Sequence, residues 1–88
     1  MDEQKPLKHT LNLIERESLT ITGVVKILSS SLNQIVLKLF STDLTILGTN
    51  LSLENFNDNE VLIKGMIDQI KYSKSNKTKQ SFFKRIFG

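Results

Sequence analysis

Leu44-Thr45-Ile46-Leu47-Gly48 reads as a short strand that stops on a glycine, and the chain holds two near copies of it. These are Leu19-Thr20-Ile21-Thr22-Gly23 and Val61-Leu62-Ile63-Lys64-Gly65. Alternation of apolar and polar residues over such short runs, rich in Ile, Val, Leu and Thr, argues strand. Each glycine stands in the row where another large inward side chain would fall. The apolar pattern then resumes, at Val24-Val25, at Leu51 and at Met66-Ile67. Glycine weakens a strand interior, so it marks a bulge, a sharp bend or a close backbone approach. Long strands of a small all-β domain must bend around their core, and Gly23, Gly48 and Gly65 are expected to serve that bending. A glycine-lined ligand groove is the alternative. Unequal intervals between the three positions exclude a solenoid repeat.

The rest of the chain keeps the period of two. Leu11 and Leu13 form one row, Val25 and Ile27 extend another, and Ile35, Leu37 and Leu39 form a third with Val36, Lys38 and Phe40 on its reverse. Leu51 and Leu53 follow as a further apolar row, with the strand continuing past Gly48. Serines 29 to 31 with Asn33, then Ser41-Thr42-Asp43, then residues 55 to 59 supply turn chemistry between the rows. About six to seven short strands with turns at this spacing predict a small antiparallel sandwich or a partly open barrel. Helical spacing appears only in the last seven residues. The expected organisation is a flexible N-terminus over 1–8, a β domain over 9–72, and a basic linker with a short amphipathic segment over 73–88.

Eighty-eight residues suit one domain with one modest core, and 39% apolar content lies well above the disordered range. The chain has no cysteine, so disulfide and thiolate chemistry are excluded. No apolar run follows a basic start, and none approaches the ~18 residues of a membrane span, so a cytosolic location is expected. The net charge of +3 conceals a split. Residues 1–68 carry six basic and nine acidic side chains, and residues 69–88 carry six basic and none acidic, giving −3 and +6.

Candidate chemical sites are few. His9 is the single histidine, and without a second histidine or any cysteine it makes neither a metal site nor an acid–base pair. An exposed or strand-edge histidine is expected. Residues 54–60 gather oxygen ligands but lack the central glycine, alternating acids and flanking helices of a calcium loop, so a polar turn with Phe56 packed inward is expected. Arg16, between Glu15 and Glu17, reads as an exposed charged turn, with a buried carboxylate pairing as the alternative. No nucleophile elbow or phosphate loop occurs. No catalytic residue, cofactor or metal is therefore expected.

The tail offers the candidate docking residues: Lys74, Lys77, Lys79, Phe82, Phe83, Lys84, Arg85, Ile86 and Phe87. Residues 73–81 read as a polar basic linker. Phe82 with Ile86, and Phe83 with Phe87, then share one side of a helical turn, with Lys84 and Arg85 opposite. So short a segment needs an apolar surface to lie on. That surface is the domain's own sheet, a sister subunit, a different protein or an anionic bilayer.

One family resemblance runs through these residues. His9-x-Leu11-x-Leu13-x-x-Arg16-x-x-Leu19-x-Ile21-Thr22-Gly23-Val24 resembles the opening signature of the YabP family of sporulation proteins. Leu44-x-Ile46-x-Gly48-x-x-Leu51, then Ile63-x-Gly65-x-Ile67-x-x-Ile70-x-Tyr72, then the aromatic-basic end from Phe82 to Phe87 continue it. It spans roughly residues 9 to 88. Asp43 and Asn59 stand where glycine is expected in two turns, and both tolerate left-handed backbone. The resemblance implies a role in late sporulation, in building the spore envelope, and transfers no catalytic residue. The function expected is a non-enzymatic assembly or adaptor protein that pairs with itself and with other sporulation proteins through exposed strand edges. Peripheral binding to an anionic membrane through the tail is the alternative. Nucleic-acid binding ranks lower, because only Phe40, Phe56 and Tyr72 lie outside the tail and the body is acidic. The setting implied is the cytoplasm of sporulating cells, with the developing spore surface as a further site.

Overall fold

The fold is given by a computed structural model that describes residues 8–74. Those residues are all-β, in six strands: β1 (Leu11–Ile14), β2 (Ser18–Thr22), β3 (Lys26–Ser30), β4 (Gln34–Lys38), β5 (Thr42–Asn57) and β6 (Glu60–Lys74). All neighbours pair antiparallel in one sheet of order β1-β2-β6-β5-β4-β3. The expected sandwich or barrel is thus a single continuous sheet, open at β1 and β3. Nor are all the strands short, since β5 has 16 residues and β6 has 15. The expected C-terminal helix and most of the linker lie outside the described residues, although Ser73 and Lys74 still belong to β6.

The rows 44–48 and 51–53 are one strand because bulges reset its parity. Leu47 faces Gln69 and Gly48 faces Ile67, which leaves Asp68 as an extra residue on β6. Between the Thr49–Met66 and Ser52–Lys64 pairs β5 carries one residue more than β6, and Glu54 is a further extra before Asn55–Leu62. Each bulge bends the strand and sharpens its twist.

Pairing beyond the long hairpin divides the sheet into two arms. β2 pairs with residues 60–64 of β6, whereas β4 pairs with residues 43–47 of β5. Leu19, Ile21, Val61 and Ile63 on the first arm are fully buried, as are Ile35, Leu37, Leu44 and Ile46 on the second. All eight join one cluster with Val24, Leu39, Leu51 and Ile67. A flat sheet with no covering layer could not remove them from water, so the arms face one another across the core. Strands that switch layers through bulges make such corners. The link from β2 to β3 closes the far ends. Val24 N–H donates to the Asn59 carbonyl (3.0 Å), at the tip of one arm, and Val25 N–H donates to the Lys38 carbonyl (2.7 Å), at the tip of the other. Adjacent residues, about 3.8 Å apart, hold both tips.

The bend depends on two glycines. A Cβ at Gly48 would lie 2.0 Å from the Met66 carbonyl oxygen. Gly65 has φ +126°, and its Cβ would lie 2.5 Å from the Asn50 carbonyl oxygen. Gly23, at φ +80°, lies against the backbone of Lys8 and His9. Backbone crowding is therefore what the three sequence glycines have in common.

One of the two expected left-handed turns is found and the other is not. Asp58 and Asn59 both take left-handed backbone, as in a type I′ hairpin. Asp43 does not, because the preceding turn lies at residues 39–41 and β5 has already begun at Thr42. The Asp43 side chain is 1% exposed, and among the described residues neither carboxylate oxygen has a hydrogen-bond partner. Its cross-strand neighbours are Lys38 and Ser73. Phe56 lies opposite the buried Val61, yet at the rim of the arm it stays 41% exposed, so it is only half inward.

Three stability outcomes follow from this packing. Gly48→Ala should cost well over 1 kcal/mol in denaturant titration, because backbone must move to admit one methyl. A melting temperature equal to that of the native chain would remove Gly48 from its place at the bend. Asp43→Asn, which keeps the shape and removes a buried carboxylate that has no hydrogen-bond partner among the described residues, should raise stability by roughly 1 kcal/mol; a loss of that size would show the carboxylate to be paired in solution. Asp68→Ala should cost less than about 1 kcal/mol, since its ion pair with Arg16 is more than half exposed on both sides.

Candidate functional site: a free strand edge

An open sheet presents unpaired backbone groups at its edges, and proteins usually guard them with charge, proline or bulges. The β3 edge begins at Lys26 and is bulged at Leu28, between the Ile27–Leu37 and Ser29–Val36 pairs. The outer half of β6, beyond its contacts with the β1–β2 turn, carries Asp68, Lys71 and Lys74. The last part of β5 carries Glu54 as a bulge. β1 alone has none of these. Its sequence, Leu-Asn-Leu-Ile, is uncharged, and its register against β2 is unbroken from Leu11–Ile21 to Ile14–Ser18. Leu13 is 41% exposed and Ile14 54%.

The orientation of this edge follows from one hydrogen bond. Thr22 N–H donates to the Thr10 carbonyl (3.0 Å), so Thr10 faces β2. Antiparallel alternation then turns the amides and carbonyls of Leu11 and Leu13 outward. Thr22 Oγ1 adds a bond to the Lys8 carbonyl (3.1 Å), and Thr10 N–H donates to Thr22 Oγ1 (2.9 Å), which ties down the approach to β1.

His9, expected at a strand edge, sits there half-buried and has a structural task. Its Nδ1 donates to the Thr22 carbonyl (3.0 Å), since a carbonyl can only accept. In the neutral ring Nε2 then accepts from the Tyr72 hydroxyl (2.7 Å), and the rings meet edge to face at 5.6 Å. The first arm is thereby clasped to the end of the second. Both readings of Arg16 contain part of the truth: it is an exposed turn residue, and it pairs with a carboxylate on the surface. Its guanidinium reaches Asp68 Oδ1 (3.0 Å) through one terminal nitrogen, and its Nε donates to the Ile67 carbonyl (3.1 Å).

Beside β1, at the corner of the bend, lies an open groove of about 540 Å³. Ile14, Glu15, Glu17, Lys64 and Met66 line it, with Asn50. Three separate segments build it, which is why no local run of sequence announces it. Of the docking residues expected in the tail, Lys74 ends β6; Lys77, Lys79, Phe82, Phe83, Lys84, Arg85, Ile86 and Phe87 lie outside the described residues. Among the described residues no three His, Cys, Asp or Glu side chains converge as a metal site, the oxygen-rich segment 54–60 included.

No curated protein and no solved structure matches the chain. A family model described as the YabP family matches residues 5–79 of the 88. The match takes in every strand of the sheet, the His9–Tyr72 clasp and the free β1 edge: the chain belongs to the YabP family.

Proposed function

We propose that this protein is a non-enzymatic assembly or adaptor module in late endospore envelope formation, working through protein–protein contacts at the β1 edge. Membership of the YabP family points to a sporulation-related protein. The observation that carries the molecular part is the unguarded β1 edge, with the outward backbone groups of Leu11 and Leu13 beside exposed aliphatic side chains. Strand addition matches such an edge, because main-chain bonds supply affinity and the alternating side chains supply selection. A second copy presents the same edge, and antiparallel pairing of two β1 strands about a two-fold axis makes a closed dimer. Other sporulation proteins are the remaining partners, met in the cytoplasm and at the developing spore surface.

One different reading has an observation of its own. The +6 balance of residues 69–88 suits an anionic membrane, where each Lys or Arg near the surface adds about 1 kcal/mol.

Light scattering over a concentration series tests the edge. The native chain should self-associate as a dimer or larger, and Leu13→Pro should lower its mass with its sheet spectrum intact, because the lost N–H faces outward. A native chain that stays monomeric at the highest concentration, and retains no partner from sporulating cells, would sink the proposal. Retention on anionic vesicles with no protein partner would favour the membrane reading.

A further inference from the structure

We infer that the groove at the bend is the receptor for the C-terminal segment Phe82–Phe87 of a second copy of this chain. The inference rests on the self-association proposed above and adds a second contact to it. Pairing over a four- or five-residue strand buries little surface compared with the ~800 Å² per partner of a standard interface, so a β1 dimer is weak and a second contact strengthens the assembly.

Groove and segment match in chemistry. Ile14 and Met66, 54% and 43% exposed, supply apolar surface on the groove, and Glu15 and Glu17 supply two exposed carboxylates at its turn. Lys64 also lines it and is the one cation there. The segment carries four large apolar residues on one side of its helical spacing and two cations, Lys84 and Arg85, on the other. Both cations have an acid to meet at Glu15 and Glu17. The apolar side chains find Ile14 and Met66, the exposed large apolar side chains that line the groove.

Reach decides whose groove is filled. Met66 and Lys74 are eight residues apart along β6, or about 26 Å at the rise of a strand. From Lys74 to Phe82 the chain also takes eight steps, at most about 29 Å when fully stretched. A chain could reach its own groove only with this linker nearly taut and doubled back along β6. A neighbour's groove imposes no such constraint, and so the occupant is the segment of another copy. Tail into groove is a head-to-tail contact, which propagates, whereas β1 against β1 closes on itself. Together they turn dimers into an extended array.

The test uses a fluorescent peptide of residues 80–88 and the full-length protein with Phe82, Phe83, Ile86 and Phe87 changed to serine, so that its own tails do not compete. Saturable binding should appear and weaken with added salt. Glu15→Lys with Glu17→Lys, or Met66→Asp, should reduce it at least tenfold with an unchanged sheet spectrum. Leu13→Pro should leave it intact while abolishing the dimer, so failure of the edge and failure of the groove give different results. Absence of saturable binding, or equal binding by the groove variants, overturns the inference. Capture of the peptide by phosphatidylglycerol vesicles but not by the protein overturns it as well and assigns the tail to a membrane.

Discussion

The Met66 carbonyl oxygen occupies the space that a side chain at position 48 would need. That contact brings the two long strands together where they turn, and the rest of the architecture depends on it. With the corner made, the first parts of β5 and β6 lie in different arms, and the residues that continue each strand lie in the arm opposite. With the corner opened, Leu19, Ile21, Val61 and Ile63 would face water instead of Ile35, Leu37, Leu44 and Ile46. The hydrophobic term that stabilises this small domain therefore depends on a steric condition met by hydrogen atoms at two positions.

Bulges leave backbone groups without ladder partners, and such groups must find others. Here the two outer hairpins supply them. The β3–β4 turn offers the Asn33 carbonyl to Gly48 N–H (3.0 Å) and the Leu32 carbonyl to Leu51 N–H (2.8 Å). The β1–β2 turn offers the Glu17 carbonyl to Gly65 N–H (3.3 Å) and the Arg16 carbonyl to Ile67 N–H (2.9 Å). Each long strand thus has its bend bridged by one hairpin turn, in an approximately two-fold arrangement. Glu15 and Arg16 accept left-handed backbone without being glycine, a cost of order 1 kcal/mol or more each. Their turn can then aim two successive carbonyls at β6. The side chain of Arg16 strengthens the same contact.

Much of this was legible as period and parity. The inward rows 19–21, 35–39, 44–46 and 61–63 are the buried core, but the row from Leu19 through Gly23 to Ile27 is two strands, β2 and β3, on opposite sides of the sheet. Parity changes where the long strands are bulged. Leu44 and Ile46 are inward at even positions and Leu51 at an odd one, the mark of bulges inside one continuing strand. Asp68 hid the corresponding change between Ile67 and Ile70. Asp43 resembled a turn residue by type alone, and nothing local showed that the turn had closed two residues earlier. The His9–Tyr72 pair spans 63 positions and the groove joins three segments, so neither leaves a local pattern.

Hairpin turns are ordinarily where a small β protein can be enlarged, by an inserted epitope, a fluorescent reporter or a permuted pair of termini. Three of the four hairpin turns are unsuitable here. The β1–β2 and β3–β4 turns are engaged with the bend, and Asn59 in the β5–β6 turn binds Val24 through both its carbonyl and its side-chain amide (2.9 Å). The β4–β5 turn is different. Leu39 N–H and the Thr42 carbonyl close it (2.8 Å), while Phe40 and Ser41 face solvent. Between those two residues lies the position where foreign sequence can enter with least disturbance, on the end of the molecule away from both the bend and its groove.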